Sequence, residues 1–258
     1  MSFTLFTRVA TATLAACVAL SGSLAHAELQ GRDLDAATAG YEAFYDTVLS
    51  LTWLADANFA KTSGHSATGQ MTWEDASAWA ANVTVHGLSG WRLPNVLPVN
   101  GQSYDYSGAY DGSSDLGYGI RSPRNEMSYM FYENLGLLSY YDEQGNYQPG
   151  FGRPQGVDAL PLSNVPAGYV RNLGPLHGEY WAAQAFEPEP GAHWVFDFED
   201  DGQFALVSSD SSRWGGAYAW LVRDGDVSAV PEASSIWLFA LGAIGLAATV
   251  RIRRSPGQ

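Results

Sequence analysis

Apolar segments near both ends of the 258-residue chain restrict the part that folds in water to the residues between them. The apolar stretch after Arg8 ends at Ala25-His26-Ala27, which has the small-x-small pattern of a signal-peptidase site. Near the other end, residues 233–250 carry no charge, and a helix of this length rising about 1.5 Å per residue just crosses a thin bilayer. We therefore predict a signal peptide over 1–27, an ectodomain over 28–229 and a membrane-directed tail over 230–258.

The N-terminal segment also contains a competing signal. Leu14-Ala15-Ala16-Cys17 fits a lipoprotein box, whose cysteine would be acylated and retained. Cleavage after Ala27 fits better, because the apolar run continues through Leu20 before the Ala-x-Ala site. Since Cys17 is the only cysteine, cleavage after Ala27 would leave a protein without disulfides, thiolate metal ligands or cysteine nucleophiles.

The tail combines three features in a fixed order. A short motif formed by Val230, Pro231 and Glu232 precedes the uncharged span 233–250. The basic end, 251–258, then begins with three arginines: Arg251, Arg253 and Arg254. Under the positive-inside rule these arginines hold that end in the cytoplasm, which leaves the ectodomain outside the inner membrane.

This order resembles the PEP-CTERM sorting domain, in which Val-Pro-Glu-Pro precedes a membrane span and a basic end. Residues 230–233 supply the motif, with Ala233 in place of the second proline. The resemblance implies recognition by exosortase, a membrane-embedded cysteine transpeptidase of Gram-negative bacteria that make exopolysaccharide. It also implies removal of the tail after an inner-membrane intermediate, followed by release to the cell surface or extracellular matrix. The alternative is a permanent single-span anchor.

The ectodomain is strongly acidic. Without the four arginines and one glutamate of the terminal segments, 9 of the 13 basic and 26 of the 27 acidic residues remain, a formal charge of −17. Such a surface repels phosphate backbones and sulfated polysaccharides, so we expect no nucleic-acid partner. Divalent cations or neutral sugars fit better, and solubility alone is the other explanation of the acidity.

Two segments of the ectodomain have helical patterns. Thr72 and Asp75 form a capping-box-like start, and apolar residues follow at helical spacing: Ala76, Trp79, Ala80 and Val83. A second helix is expected to begin near Pro123 and stop at Gly136, with one apolar face formed by Met127, Met130, Phe131 and Leu135.

The remaining segments predict strands and long loops. Residues 45–54 are apolar and extended in character, and strands are expected over 180–186, 193–198, 203–207 and 217–223, with a turn at Asp200-Asp201-Gly202. Residues 100–121 and 139–175 have the composition of loops, the first of them a surface loop. Two helices and an antiparallel meander indicate a single compact α+β domain.

Five blocks of the ectodomain carry a family resemblance. They read YDTVLSLTWLADANFAKTSG, MTWEDASAWAANVTVHGLSGWRLPN, NEMSYMFYENLG, YWAAQAFEPEPGAHWVFDF and AYAWLVRDGDV. They run in order from Tyr45 to Val227, and together they resemble the Lcl C-terminal-domain family, long catalogued as a domain of unknown function and common beneath PEP-CTERM tails. The Trp-Arg-Leu-Pro and Trp-x-Val-Arg blocks also resemble C-type-lectin-like and formylglycine-generating-enzyme folds.

Catalytic motifs are scarce. Formylglycine-generating chemistry needs cysteines, which the mature chain would lack. The ectodomain histidines, His65, His86, His177 and His193, show no tight metal-binding spacing, and no nucleophile elbow or phosphate loop appears. We expect a protein that is not an enzyme. The alternative is a secreted hydrolase of matrix glycans that uses acids among Asp105, Asp111, Asp115 and 199–201.

Two sets of side chains are candidates for ligand binding. Calcium is the possible cofactor, because it is bound by loop-borne oxygens such as those of Asp197, Glu199, Asp200 and Asp201. Sugar rings could stack on aromatic side chains of the irregular loops: Tyr104, Tyr106, Tyr110, Tyr118 and Trp214. We expect the other ectodomain tryptophans in periodic or family blocks to be core: Trp73, Trp79, Trp91, Trp194 and Trp220. The expected partners are signal peptidase, exosortase and exopolysaccharide or matrix proteins.

Overall fold

The computed structural model describes residues 29–152, 159–161, 169–173, 178–199, 201–208 and 216–227. Several predicted features lie outside the described residues: Ala25, Ala27, Cys17, the span 233–250, Val230, Pro231, Glu232, Arg251, Arg253, Arg254, His177, Asp200 and Trp214. Within the described part, no helix has the length and apolar character that crossing a membrane requires.

Strands outnumber helices in this mixed α+β domain. The strands are β1 Leu29–Arg32, β2 Ala43–Asp46, β3 Leu51–Leu54, β4 Gln70–Met71, β5 Trp91–Arg92, β6 Ala159–Pro161, β7 Tyr169–Arg171, β8 Glu179–Ala185, β9 Ala192–Asp197, β10 Gln203–Val207, β11 Ala217–Tyr218 and β12 Val222–Asp224. The helices are α1 Phe59–Thr62, α2 Trp73–Asn82 and α3 Glu126–Tyr129, and a π-helical turn, Met130–Asn134, continues α3.

The larger strands form two five-stranded sheets. The first has the order β1-β2-β3-β12-β5 with antiparallel pairs throughout. The second has the order β10-β9-β8-β11-β4, in which β8, β9 and β10 make the predicted antiparallel meander. Strand β10 has the predicted bounds, whereas β11 pairs with β8 in parallel. A small antiparallel sheet joins β6 to β7.

The expected single strand over 217–223 is wrong. The chain leaves the second sheet after β11 and enters the first sheet at β12, so Ala219, Trp220 and Leu221 form a buried crossing between the sheets. The Trp220 indole N–H donates a hydrogen bond to the Leu54 carbonyl at 2.6 Å. This bond fixes the crossing to β3. Alternation of apolar residues cannot reveal such a change of sheet, because the alternation is the same whether a strand stays in one sheet or passes to the other.

The prediction of helix α2 is confirmed, and the prediction of the second helix is confirmed only in part. The Thr72 hydroxyl accepts the Asp75 backbone N–H at 3.2 Å, and Ala76, Trp79 and Ala80 are buried. The second helix begins at Glu126 rather than near Pro123, because 122–125 close a turn through the Asn125 N–H and the Ser122 carbonyl. Its predicted apolar residues still pack into the core: Met127, Met130, Phe131 and Leu135.

The two predicted loop regions are more structured than their composition indicates. Residues 100–121 contain none of the strands or helices, but they are not only a surface loop: Ser114, Asp115 and Ile120 are buried. Gly117 exchanges two backbone hydrogen bonds with Gln203 of β10, at 2.9 and 2.8 Å. The other region, 139–175, includes β6 and β7. Residues 100–121 therefore pair with β10, and residues 139–175 contain a small sheet of their own, although neither region has an apolar period.

The core is dense in aromatic side chains. Trp53 and Trp220 pack edge to face with ring centroids 5.0 Å apart between the sheets. Of the tryptophans predicted to be core, Trp79, Trp91, Trp194 and Trp220 are buried. Trp73 is partly buried against the cluster that contains Trp79 and Trp91. Strand β9 is buried along its whole length, so both of its faces are covered.

A largely buried ion pair holds the Trp-Arg-Leu-Pro block in place. The Arg92 guanidinium, on β5, contacts both carboxylate oxygens of Glu126 at the start of α3. Glu126 also accepts the backbone N–H of Asn95 at 2.7 Å, and the Asn95 side-chain oxygen accepts the Gln184 amide at 2.8 Å. These bonds tie β5, α3 and β8 together where the chain enters the irregular region 100–121.

Candidate ligand-binding surface

The tyrosines predicted to bind sugar divide into two groups. Tyr104 and Tyr106 lie over Trp194, with ring centroids 5.5 and 6.0 Å from it. The Tyr104 hydroxyl donates to the Val96 carbonyl at 2.8 Å, and Tyr106 packs edge-on against Phe186. These two rings are partly buried and cover β9, so their main contacts are with the domain itself.

Tyr110 and Tyr118 belong to a different cluster. Their rings stack 5.8 Å apart, and Tyr141 packs edge-on against both, at 5.0 and 4.9 Å. Tyr118 also packs on Phe204 of β10. The cluster therefore joins the first irregular region to the segment that follows α3.

Three further rings extend this cluster along the surface. Tyr140 contacts Tyr141, Tyr147 and Phe151 at 4.6, 5.2 and 4.4 Å. We call the continuous set of rings the tyrosine surface: Tyr110, Tyr118, Tyr140, Tyr141, Tyr147 and Phe151. The last four of these rings are not among the residues predicted from the sequence to bind sugar. Residues 140–151 repeat tyrosines among Gly, Asn and Pro, a composition like that of 100–121. This likeness is the sequence signal that could have identified them.

The tyrosine surface is exposed to solvent at its two ends. Among the described residues, the exposed large apolar side chains are Val48, Tyr110, Leu138 and Tyr147. Tyr110 is 41% exposed, Tyr147 is 55% exposed, and Leu138, 43% exposed, pairs with Gly152 beside Phe151. Clustering of exposed apolar side chains is typical of an interaction site, whereas single ones are ordinary.

A tight hairpin at 141–147 fixes the middle of the surface. The Asp142 carboxylate accepts the backbone N–H groups of Gln144 and Asn146 at 3.0 and 2.7 Å. These hydrogen bonds, the one from Asn146 above all, lower the pKa of Asp142, which is therefore ionised at neutral pH. Gly145, at φ 78°, lies directly on the Tyr110 ring, and a side chain there would come within 3.0 Å of it.

Asp201 anchors the surface from beneath. It is fully buried, its carboxylate accepts the Tyr140 backbone N–H, and its carbonyl accepts the Tyr132 hydroxyl at 2.6 Å. The Tyr132 hydroxyl in turn accepts the Gly119 N–H at 2.9 Å. Burial raises the pKa of Tyr132, which keeps this hydroxyl protonated as a donor.

The remaining predicted calcium ligands also make local contacts. Asp197 is nearly buried on β9, and its carboxylate accepts the Glu199 backbone N–H at 2.7 Å. Within the described ranges, no group of three or more His, Cys, Asp or Glu side chains could hold a metal ion. Asp200 lies outside those ranges, and the calcium site stays a prediction.

The predicted hydrolase acids hold the irregular region in shape. Asp115 is fully buried, and its two carboxylate oxygens accept the Val99 and Asp105 backbone N–H groups at 2.7 and 2.8 Å. Asp105 and Asp111 each accept an N–H two residues ahead, as acids do in turns. Hydrogen bonds from Ser113 lower the pKa of Asp111.

The histidines lie apart from the tyrosine surface. His193 of β9 stacks on Trp73 with centroids 3.8 Å apart, and burial lowers the pKa of its imidazole. The neighbouring Ser208 hydroxyl donates to Glu74 and accepts the Trp73 backbone N–H at 2.9 Å. His65 stacks on Trp79, and His86 lies in an exposed turn with φ 47°. These contacts give the three described histidines separate structural surroundings.

Comparison with known proteins identifies the end of the chain. Residues 229–254 match the model of the PEP-CTERM protein-sorting motif. PEP-CTERM motifs are recognised by exosortase, and the motif indicates exosortase-dependent export through the membrane to the cell envelope. The matched residues belong to the tail, so the match concerns sorting and not the ectodomain. No curated protein and no solved structure matches the chain.

Proposed function

We propose that this is an exosortase-sorted protein of the cell surface or extracellular matrix, whose ectodomain is a non-enzymatic binding module for exopolysaccharide. The match of residues 229–254 to the sorting motif carries the proposal. The route includes signal peptidase at Ala27, a transient inner-membrane intermediate, and trimming of the tail by exosortase. The Ala-x-Ala site at 25–27 supports the first of these steps.

The described ectodomain supports a binding role in two ways. The carboxylates of Asp105, Asp111 and Asp115 accept hydrogen bonds from backbone N–H groups, which is a structural role and not a catalytic one. Among the described residues, two of the four exposed large apolar side chains, Tyr110 and Tyr147, belong to the tyrosine surface, and a third, Leu138, lies beside it. The proposed relationship to the Lcl C-terminal-domain family agrees with this role through its frequent pairing with PEP-CTERM tails. The proposal includes a C-type-lectin-like fold for the ectodomain.

Fractionation of the host cells tests the sorting step. In cells that lack exosortase, the full-length protein should accumulate in the inner membrane, whereas normal cells should trim it and release it. An antibody against the ectodomain follows both forms by size. The same size and location with and without exosortase would leave a plain membrane anchor and overturn the sorting proposal.

Retention on the host's own exopolysaccharide tests the binding step. The full chain, extracted in mild detergent, is passed over that polysaccharide after immobilisation. Retention that free polysaccharide competes away is the expected result. Passage through the column without delay, by protein that gives a cooperative unfolding transition, would remove the binding role and leave the sorting result intact.

A further inference from the structure

We infer that the tyrosine surface is a subsite for an extended neutral hexose polysaccharide, an assignment that rests on the proposed binding function. The exposed rings of Tyr110 and Tyr147 are its ends, and Tyr141 and Tyr140 connect them through ring contacts of 5.0, 4.6 and 5.2 Å. Successive rings of a sugar chain would lie along this line. A hexose at each end would place its C–H face on the exposed ring of Tyr110 or Tyr147, whose face carries partial negative charge. Tyr140 and Tyr141 pack edge to face between them and are only partly exposed.

Polar groups accompany the rings in the way that a sugar requires. The Asp142 carboxylate lies in the turn between Tyr141 and Tyr147, and Glu143 is exposed next to it. Carboxylates accept hydrogen bonds from sugar hydroxyls, and the exposed Asn146 amide in the same turn both donates and accepts. Apolar ring faces with a few polar groups at their edge are the usual lining of a small-molecule site.

The charge of the surface selects among polysaccharides. Segments 104–119 and 138–152 together contain five carboxylates and no Lys, Arg or His: Asp105, Asp111, Asp115, Asp142 and Glu143. Uronate, sulfate and phosphate groups would meet repulsion with no cation in these segments to offset it. A neutral hexose polymer meets no such repulsion, and the carboxylates beside the rings, Asp142 and the exposed Glu143, can accept hydrogen bonds from its hydroxyls.

The size of the exposed patch favours a glycan over a protein. If a full aromatic side chain offers about 200 Å², the exposed parts of Tyr110, Tyr147 and Leu138 amount to roughly 300 Å². A stable protein interface buries about 800 Å² on each partner, of which more than half, roughly 450 Å², is apolar. A narrow strip of this area instead fits a single polysaccharide chain, which contacts a few rings in series.

The surface is also formed before any ligand arrives. Asp142 closes the hairpin, and the Gln148 side-chain amide donates to the Ser139 and Tyr141 carbonyls at 3.1 and 3.0 Å. From beneath, Asp201 holds the Tyr140 backbone. Binding therefore requires little ordering of the protein, which is the main cost that weakens contacts of small area.

The test is affinity electrophoresis of the full chain in mild detergent through gels containing cellulose derivatives, β-1,3-glucan, mannan, galactan or dextran. At least one neutral polymer should retard the wild-type protein, with little effect of 0.5 M salt because no charge pair forms. The double variant Tyr110→Ala/Tyr147→Ala should bind at least about tenfold more weakly. Tyr147→Phe should keep most of the affinity because it keeps the ring.

Controls separate the surface from general effects. Val48→Ala removes an exposed large apolar side chain that is not part of the tyrosine surface and should bind like the wild type. Gels containing polygalacturonate test an anionic polymer, and gels containing chitosan test a cationic one. Retardation by chitosan alone, abolished by salt, would show electrostatic adsorption and overturn the assignment.

The outcomes also separate this inference from the proposed function. If a neutral polymer retards the wild type and the double variant equally, the ectodomain binds polysaccharide elsewhere and only the assignment to the tyrosine surface fails. If polygalacturonate retards the wild type and no neutral polymer does, neutral specificity is wrong. If nothing is bound, the binding function fails with it.

Discussion

Arg92 and Glu126 form a two-point ion pair, with Nη1 2.7 Å from Oε2 and Nη2 2.9 Å from Oε1. Glu126 is 90% shielded from solvent at its side chain, and Arg92 also contacts Asp224 of β12. The planar guanidinium fits a carboxylate in this geometry, and an ammonium does not. The pair joins β5 to α3, whose Met127 lies in the main core cluster, so it links elements that are 34 residues apart in the chain.

Removing one partner of this pair should destabilise the fold strongly. Glu126→Ala leaves the Arg92 charge and the Asn95 N–H without their main partner, so we expect a loss of about 3 kcal/mol in the free energy of unfolding. Urea denaturation followed by tryptophan fluorescence measures it. The matched control is Glu133→Ala, whose pair with Arg121 is more exposed and should cost less than about 1 kcal/mol. Equal losses would mean that burial of the pair is unimportant.

Local patterns predicted the elements that depend on local chemistry. The Thr72 cap and the apolar stripe of α2 are within one segment, and both are confirmed. The β9–β10 hairpin was likewise predicted from its strands and turn. By contrast, the crossing at Trp220 depends on the distant Leu54 carbonyl, and nothing in residues 217–223 records that partner.

The tyrosine surface shows the same limit. The loop composition around Tyr110 suggested a surface for sugar, but the rings that complete it come from 140–151, and contact across the fold brings them together. Tyr104 and Tyr106 have the same sequence surroundings as Tyr110, yet Trp194 covers them. Loop composition alone cannot separate a ring that packs inward from one that faces solvent.

Stability should fall as the solution becomes acidic, because of His193. Burial against Trp73 lowers the pKa of His193 in the folded state, so the unfolded chain binds the proton more readily. The contribution of neutral His193 to stability is complete above its pKa in the unfolded chain, about 6.5. It is lost as pH falls toward the lower pKa of His193 in the folded state. Nearby Glu74 opposes the shift without cancelling it.

Thermal unfolding between pH 8 and pH 5 tests the His193 prediction. The wild-type Tm should drop across this range, and His193→Phe, which keeps a ring against Trp73, should reduce the drop. His86→Gln, in an exposed turn, should behave like the wild type. An unchanged pH profile in His193→Phe would assign the acid sensitivity to other groups.

Gly117 is required where the irregular region joins β10. Its φ is 114°, and an added Cβ would lie 2.4 Å from the Ala109 carbonyl oxygen. Gly117→Ala should therefore lose about 2 kcal/mol or more, since it combines backbone strain with a backbone clash. Gly108→Ala, at φ 78° with open space around it, adds only the left-handed backbone strain and should lose about 1 kcal/mol. Equal losses from chemical denaturation of both variants would show that the clash is relieved by movement of the loop.

Ala233 sets the expected efficiency of tail removal. Proline at this position would restrict Glu232 to extended backbone, the conformation in which peptides commonly occupy processing enzymes, and it would restore the Val-Pro-Glu-Pro motif. Ala233→Pro should therefore raise the rate at which full-length protein becomes the trimmed form. Pulse–chase labelling in exosortase-positive cells measures that rate, and Ser234→Pro is the control because it leaves Ala233 in the motif. A rate that does not change with proline at 233 would show that exosortase does not read the fourth motif position in this protein.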